Sequence, residues 1–346
     1  MSILKVAVVG VGSLGQHHAR ILAGMEQVQL VGVVDPRPEQ GQEIAQRFKT
    51  TWYSDIRQLP KDLDGVVIAT PTIHHVEPAE YFLKAGIATL VEKPLAANLK
   101  NANHLKAVAD KHGAVLQVGH VERFNPIFEA AQNLSGDVKY LRCQRVSPYS
   151  FRSTDIGVVH DLMIHDIDLA LALTGQMPES VEAFGAVTIG PHEDCAVARL
   201  RMPDRTIVDI TSSRIAPQAE RTMQIWSSQG CMNVDLHLRS LTSWEPSATV
   251  AANPAMIQTI AAATPNPLTL KDRVFGEWIE EQTIQASDRD ALTAELQEFT
   301  EAIRGNIVPR VSGQEAVQAM LVAEDVLNSL RAWSWQDSLA AESKAA

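Results

Sequence analysis

Two residues four positions apart, Asp161 and His165, lie in an otherwise apolar stretch and have the chemistry to move a proton. Residues four apart share one face of an α-helix, and Asp168 joins that face. Histidine transfers protons near neutral pH, and an adjacent carboxylate can orient or activate it. Polar residues in so apolar a helix need partners or a function. We therefore interpret the segment as catalytic; a solvated ion-pair face is the alternative.

A lysine follows another apolar run and is the second candidate for chemistry. Lys93 comes after the run 88–91 and Glu92, and it precedes Pro94, which biases the lysine away from helical conformation. A lysine that ends a core strand is ordinarily a solvated cap. Beside a bound nicotinamide, it would instead orient a substrate hydroxyl.

The element that would place a nicotinamide there is a glycine loop near the start of the chain. Gly10, Gly12 and Gly15 follow the first apolar run in the pattern GxGxxG, with Ser13 and Leu14 between them. The glycines permit a tight turn, close approach of a diphosphate and packing of the next helix on the strand. The helix start adds free N–H groups and a positive dipole end. The pattern predicts dinucleotide binding rather than an ordinary strand–turn–helix.

An acid stands where the ribose of a dinucleotide would lie. Asp35 ends the second apolar run, twenty residues after Gly15. A carboxylate there binds the ribose 2′-hydroxyl and repels a 2′-phosphate. Arg37 instead favours NADP, because a nearby arginine can bind the 2′-phosphate. The sequence favours NAD over NADP as the cofactor.

Other predicted cofactor contacts follow strands of the same sheet. Thr70 and Pro71 come directly after the third apolar run, and His75 lies shortly beyond, near a helix start. The carboxyl ends of parallel strands line the ligand crevice, so these residues should face the cofactor. Glu92 and Lys93, after the fourth run, complete this set.

Predicted substrate ligands gather at the junction between the two halves of the chain. His120, Arg123 and Asn125 lie in the segment 119–126, and Arg152 follows, with Arg142 and Arg145 between. Several arginines around a cleft can bind a phosphate bidentately. We expect Arg123 and then Arg152 to hold a diphosphate, with Asp161 and His165 facing the reacting group.

The elements that position these residues divide the chain into two domains. Short apolar strands alternate with helices at first, which predicts a parallel sheet covered on both faces. Alternating apolar and polar runs after residue 138 predict an antiparallel or mixed sheet. The strands are expected near 4–9, 28–34, 65–69, 88–91 and 115–118, and the helices near 14–25, 39–48, 75–85, 99–112, within 157–174, and near 288–304 and 313–332. Residues 248–267 read as a surface insertion.

The domain prediction is a dinucleotide-binding Rossmann domain over 1–121, a substrate-binding and oligomerisation domain over 122–335, and a flexible tail over 336–346. The fold class is therefore α/β at the N-terminus and α+β, with an open and predominantly antiparallel sheet, at the C-terminus. A length of 346 residues suits two domains.

Composition excludes several classes of function. The net charge of −11 argues against a general nucleic-acid or anionic-membrane surface. No apolar run has the length of a membrane span, and the first strand begins where a signal peptide would lie. Three widely spaced cysteines fit a reducing cytoplasm and no zinc site. A metal bound by His160, Asp161, His165 and Asp168 is the other interpretation of the helix, but that spacing is unspecific, so no metal is predicted.

Together these segments resemble the Gfo/Idh/MocA oxidoreductase family over nearly the whole chain. The resemblance depends on the glycine loop, Thr70-Pro71 with His75, Glu92-Lys93-Pro94, and Asp161 with His165 and Asp168. It implies that Lys93, Asp161 and His165 form the catalytic group, and that the second domain binds substrate and makes oligomer contacts in a homodimer or homotetramer.

Two longer segments narrow the resemblance. GHVERFNP and VVHDLMIHDIDLAL are similar to bacterial dehydrogenases that oxidise the 3-hydroxyl of UDP-N-acetylglucosamine with NAD. In those systems a partner aminotransferase then makes a 3-amino sugar used in some lipid A. A dehydrogenase of a free sugar or inositol is the alternative. A non-catalytic dinucleotide-binding regulator is a further alternative, disfavoured because it need not keep all three catalytic residues.

Overall fold

Six parallel strands form the first sheet, in the order β3-β2-β1-β4-β5-β6. The computed structural model describes residues 2–151 and 156–332. The strands are β1 Leu4–Val9, β2 Val28–Val34, β3 Trp52–Tyr53, β4 Gly65–Ile68, β5 Ala88–Glu92 and β6 Leu116–Gly119, and the helices between them are α1 Gly15–Gly24, α2 Pro38–Arg47, α3 Val76–Lys84 and α4 Leu99–His112. Every residue of β4 and β5 is buried, as expected of strands covered on both faces. The strand order reverses between β1 and β4, and a ligand crevice opens at such a point.

The second sheet has eight strands in the order β14-β13-β12-β11-β7-β10-β9-β8. Its strands are β7 Val138–Val146, β8 Ser180–Ala186, β9 Cys195–Arg201, β10 Ile207–Ser213, β11 Glu220–Ser227, β12 Gly230–Asp235, β13 Ser240–Pro246 and β14 Ile279–Gln285. The pairing is antiparallel except between β7 and β10. Helices cover one face, so buried residues alternate with more exposed ones along the central strands β9 and β10. The predicted fold class is confirmed.

The predicted helix over 157–174 is built in two parts. A π-helical turn, Val159–Met163, runs into α6, Ile164–Thr174, which ends at Gly175 with φ of 65°. A π turn takes up one more residue than an α turn and is found mostly at functional sites. This difference bears directly on Asp161, which lies inside the turn.

The remaining helices fall into two groups. Helix α5, Pro126–Leu134, follows the domain junction. The predicted surface insertion contains α7, Ala248–Ala252, and α8, Met256–Ala263, neither of which has a buried residue. None of the described helices has both the length and the apolar character needed to cross a membrane.

The last two helices, α9 Ala291–Ile303 and α10 Gly313–Ala332, tie the two sheets together. Leu296 and Phe299 of α9 pack into the core on one face of the first sheet. The amide of Val118 in β6 donates to the carbonyl of Val311 at 2.9 Å, so the chain returns to the edge of that sheet. Helix α10 then packs against both α4 and β8. The predicted boundary near residue 121 stays a prediction, and the predicted tail 336–346 lies outside the described residues.

Candidate active site

The glycine loop has the geometry of a dinucleotide cradle. Gly10 has φ of 83°, and a Cβ there would lie 2.8 Å from the carbonyl oxygen of Ala69. A Cβ on Gly15 would lie 1.8 Å from the Gly10 oxygen, whereas one on Gly12 would meet only Arg37, at 3.7 Å. The first and third glycines therefore allow backbone packing, and the second leaves space in front of the loop.

The start of α1 fits a phosphate group. Ser13 and Leu14 are exposed, and no side chain in the described part of the chain caps the helix. The amides of Gln16 and His17 donate to the carbonyls of Gly12 and Leu14, whereas those of Ser13, Leu14 and Gly15 have no acceptor among the described residues. These last three N–H groups are the ones free to bind an anion. This observation and the space before Gly12 agree with a bound dinucleotide.

Asp35 and Arg37 form a bidentate ion pair beside the loop. The Arg37 Nε and Nη2 atoms donate to the two Asp35 oxygens at 2.9 and 3.0 Å, and the amide of Val11 donates to Oδ2 at 3.1 Å. Burial opposes ionisation, but these hydrogen bonds hold the pKa of Asp35 below its ordinary value. The Asp35 carboxylate is buried beneath the largely exposed Arg37 guanidinium. The two residues predicted to contact the ribose therefore lie side by side and form an ion pair.

His75 joins the two loops that follow β4 and β5. Its Nε2 lies 2.9 Å from the carbonyl oxygen of Thr70, and its Nδ1 lies 3.0 Å from that of Pro94. Burial lowers the pKa of His75, although both carbonyls oppose the shift. Pro71 begins the short turn between these residues. His75 thus positions Thr70 and the segment after Lys93, and its role as a cofactor contact stays a prediction.

Glu92 faces α1. Its Oε1 lies 2.7 Å from Nε2 of His18, both side chains are buried, and its Oε2 accepts from the Lys93 amide at 3.2 Å. Burial raises the pKa of Glu92, but the hydrogen bond from His18 and the charges of His18, Lys93 and His75 together hold it below the ordinary value. Glu295 of α9 lies nearby, and its two buried carboxylate oxygens have no hydrogen-bond partner in the described part of the chain. Burial raises the pKa of Glu295 well above the ordinary value.

Sequence reasoning missed His18 and Glu295. The spacing of His18, three residues after Gly15 on the buried side of α1, is a signal that could have identified it. Glu295 follows Glu92 by about two hundred residues, and only the fold brings them together. Their ligand atoms and that of Glu92 lie within 4.8 Å of one another, the one group of possible metal ligands among the described residues. The four residues considered from the sequence, His160, Asp161, His165 and Asp168, do not form such a group there.

Lys93 and Asp161 meet across the junction of the two sheets. The Lys93 Nζ atom donates to the backbone oxygen of Asp161 at 2.7 Å and to its Oδ1 at 3.1 Å. The side chains are 13% and 20% exposed, so the pair is partly desolvated but still open to the cleft. The peptide bond between Lys93 and Pro94 is cis. From the sequence, Asp161 was expected to hold either the imidazole or the lysine; in the structure it holds the lysine.

His165 lies near Lys93 in a desolvated position. Burial, reinforced by the positive charge of Lys93, lowers the pKa of His165 well below its ordinary value. The imidazole is therefore neutral and able to accept a proton. Its Nδ1 is buried without a hydrogen-bond partner among the described residues.

His120 and Asp168 lie behind His165. The rings of His120 and His165 are edge to face with centroids 6.2 Å apart, and Nδ1 of His120 lies 3.9 Å from Oδ2 of Asp168. Arg123 approaches the other Asp168 oxygen at 3.7 Å and donates to the backbone oxygens of Asp168 and Arg310. Of the predicted substrate ligands, His120 thus lies against His165, and Arg123 lies beside Asp168.

Other predicted ligands have different surroundings. Asn125 caps α5 by accepting from the Ile127 amide at 3.2 Å, and its amide nitrogen donates to Glu122 and to the backbone oxygen of Leu236. Its two polar groups are thus engaged by the protein. Arg152 lies outside the described residues.

The arginines of β7 were also expected near the cleft, and here the structure differs. Arg145 is buried and donates to both oxygens of Asp166 and to Glu122, at 2.8 to 3.2 Å. This cluster fixes α6 and the domain junction to the sheet, and the Arg145 side chain is only 4% exposed, so it is not accessible to a phosphate. Arg142 lies on the opposite face, because residues an odd number apart in a strand point to opposite sides.

The first sheet has the strand order of a dinucleotide-binding domain, β3-β2-β1-β4-β5-β6. With the second, mostly antiparallel sheet and the Lys93, Asp161 and His165 side chains at the junction, this architecture is that of a nicotinamide-dependent oxidoreductase. Residues 4–120 match the model of the oxidoreductase family with an NAD-binding Rossmann fold, and residues 131–233 match the GFO/IDH/MocA C-terminal domain. The chain belongs to the GFO/IDH/MocA family, and its cofactor is NAD.

Individual relatives include enzymes with two kinds of substrate. The UDP-N-acetylglucosamine 3-dehydrogenase of Acidithiobacillus ferrooxidans is 30% identical over 323 residues, 92% of this chain and 95% of the relative. A solved structure of that enzyme has a TM-score of 0.83 at 29% identity, covering 96% of this chain and 99% of that one. The inositol 2-dehydrogenase of Rhizobium meliloti is 27% identical over 66% of this chain and 74% of its own length.

Proposed function

We propose that the chain oxidises the 3-hydroxyl of UDP-N-acetylglucosamine to a ketone with NAD as the acceptor. The observation that carries the proposal is the Lys93–Asp161 pair beside a neutral His165, since these groups suit removal of a hydroxyl proton during hydride transfer. The near full-length similarity to the Acidithiobacillus enzyme supports the choice of substrate.

The residues of this chain divide the work as follows. The glycine loop and the start of α1 would hold the diphosphate of NAD, and Asp35 with Arg37 its adenosine ribose. Bound NAD supplies the hydride acceptor, at C4 of the nicotinamide. His165 accepts the hydroxyl proton, and Lys93 orients the oxygen and stabilises negative charge developing on it. Asp161 holds the ammonium in place through two hydrogen bonds.

The diphosphate of the substrate is assigned to Arg123 and Arg152. Each terminal nitrogen of Arg123 carries two N–H groups, and the bonds to the Asp168 and Arg310 carbonyls use one on each. The others are left for a phosphate oxygen. Loss of a charge-assisted hydrogen bond costs about 1.5–3 kcal/mol, so Arg123→Ala should raise KM for a UDP-sugar about tenfold or more.

An inositol or free-sugar dehydrogenase is the second candidate, favoured by the similarity to inositol 2-dehydrogenase. The test is NADH formation by the purified chain with UDP-N-acetylglucosamine, N-acetylglucosamine and myo-inositol in parallel, with the keto product identified by mass. His165→Ala serves as the site variant, and His112→Gln, an exposed histidine at the end of α4, as the matched control. Turnover of inositol or free sugar as fast as the UDP-sugar would reject the main proposal. NADH binding without turnover of any of them would favour a regulator.

We also propose that the chain supplies an aminotransferase, forms a homodimer or homotetramer and resides in the cytoplasm. A 3-keto sugar is the substrate that an aminotransferase would convert to the 3-amino sugar of lipid A. A homodimer or homotetramer would form through the open face of the second sheet, where the Trp226 ring is half exposed and packs on Tyr140 at 5.3 Å. Sedimentation of Trp226→Glu against the unmodified chain tests this. The three free cysteines suit the cytoplasm, where thiols persist.

A further inference from the structure

Four buried polar atoms of the neighbouring residues His165, His120 and Asp168 have no hydrogen-bond partner in the described part of the chain. These atoms are Nδ1 of His165, both ring nitrogens of His120, and Oδ2 of Asp168. The side chains of His120 and Asp168 are only 1% and 3% exposed. A buried polar group left without a hydrogen-bond partner destabilises the fold. Several such groups at one place indicate that they have a functional role in addition to packing.

The geometry connects these groups in one direction. The ring of His165 packs edge to face on the ring of His120, with centroids 6.2 Å apart, and the charge of Lys93 acts on both rings. Nδ1 of His120 then faces Oδ2 of Asp168 at 3.9 Å. A small side-chain rotation would bring the His120 and Asp168 atoms, 3.9 Å apart, to hydrogen-bond distance, and a water molecule could bridge the two imidazole rings. Beyond Asp168 lies Arg123, whose side chain is 13% exposed and leads towards the surface.

We propose that His120 and Asp168 complete a proton relay that begins at His165. The inference rests on the proposed dehydrogenase function. The hydride leaves the substrate carbon for NAD, and the hydroxyl proton passes to His165. His165 releases a proton from its other nitrogen to His120, which transfers its own proton to the Asp168 carboxylate. One alcohol and one NAD⁺ thus become one ketone, one NADH and one protonated Asp168, which later loses its proton to solvent.

The ionisation of these groups agrees with that order. Burial, with the charges of Lys93 and Arg123, lowers the pKa of His120 to about 3, so the ring is neutral and can pass a proton from one nitrogen to the other. Burial raises the pKa of Asp168 to about 7, with Glu315 of α10 acting in the same direction and Arg123 opposing. A final acceptor with a pKa near neutrality can both take and release a proton under working conditions.

The first test measures kcat and its solvent deuterium isotope effect for His120→Phe, which keeps a ring, and Asp168→Asn, which keeps the shape. His112→Gln is the control. We expect kcat to fall up to about 10²-fold in both variants, the lower end of the range for general acid–base catalysis. The isotope effect should rise because proton removal becomes slower, while the Kd for NADH stays within about twofold. A kcat and isotope effect equal to those of the unmodified chain would overturn the relay.

A second test needs no turnover and therefore separates the relay from the proposed function. The infrared band of a carboxylic acid should titrate near pH 7 in the unmodified chain, be missing in Asp168→Asn, and shift its midpoint in His120→Phe. If the chain turns over none of the candidate substrates but this titration is seen, the proposed substrate fails and the relay stands. An Asp168 that stays ionised from pH 5 to 9, or a midpoint that His120→Phe leaves unchanged, overturns the relay whatever the activity.

Discussion

Removing the Asp35 carboxylate should change cofactor preference through two effects at once. Asp35→Ala takes away the charged acceptor for the ribose 2′-hydroxyl. It also frees the Arg37 guanidinium, which in the structure is held by bonds of 2.9 and 3.0 Å to that carboxylate. A free arginine at this place can bind a 2′-phosphate bidentately. The variant should therefore bind NAD less well and NADP better.

Each effect corresponds to one or more charge-assisted hydrogen bonds of about 1.5–3 kcal/mol, or roughly 10- to 150-fold in affinity. The Kd for NADH should rise by about that factor, and the Kd for NADPH should fall by a similar one. The ratio of the two should then change by about 10²- to 10⁴-fold. Fluorescence titration with NADH and NADPH measures both constants and does not depend on knowing the substrate.

The double variant Asp35→Ala/Arg37→Ala separates the two effects. It should lose affinity for NADH as the single variant does, but gain little for NADPH, because no guanidinium remains to bind the phosphate. If single and double variants bound NADPH equally, Arg37 would have no part in the preference. If Asp35→Ala left the ratio of the two constants unchanged, the reasoning from the ion pair would be refuted.

Three further outcomes are expected. Lys93→Met should lower kcat by at least about 10²-fold and leave the NADH Kd nearly unchanged in titrations; near-normal turnover would remove Lys93 from the catalytic group. Because folding raises the pKa of Asp168 from 3.8 to about 7, its neutral form is favoured in the folded state. Stability relative to Asp168→Asn should thus fall by as much as about 4 kcal/mol as the pH rises from 4 through 7, measured by urea unfolding; a pH-independent difference would contradict this. Arg145→Met should cost about 3–5 kcal/mol in the same assay, because it removes the ion-pair partner of the buried Asp166 and leaves Glu122 with only Asn125 and the more distant Arg221. Adding Glu122→Gln and Asp166→Asn should restore part of this loss.

Much of the first domain is predictable because its sequence signals are local. The run 88–91 is apolar except for the β-branched Thr89, and the observed strand, Ala88–Glu92, differs from it by one residue. Helix α4 runs from Asn98, which caps it, to the left-handed Gly113, and both ends were predicted to the residue. The strand Trp52–Tyr53 was missed, because two residues at a sheet edge form no run and depend on β2 for their conformation.

The second domain was harder because its pairings are not local. Arg145 was expected at a phosphate, yet it lies against Asp166 and Glu122, which come from a helix and from the junction. Which face of β7 meets α6 depends on the order of eight strands, and that order cannot be read from one strand. For the same reason the sequence could place His120 near the substrate but could not place it between His165 and Asp168.

The π-helical turn at 159–163 makes the spacing of the proposed catalytic residues depend on the number of residues in the turn. An α-helix advances about 100° per residue, so a single deletion that converted the turn to regular helix would rotate everything before it by that angle relative to α6. Asp161 would then leave Lys93 while His165 stayed in place. Substitutions in the turn should therefore be tolerated far more readily than insertions or deletions in it. We therefore expect the number of residues in this turn to be constrained more strongly than their types.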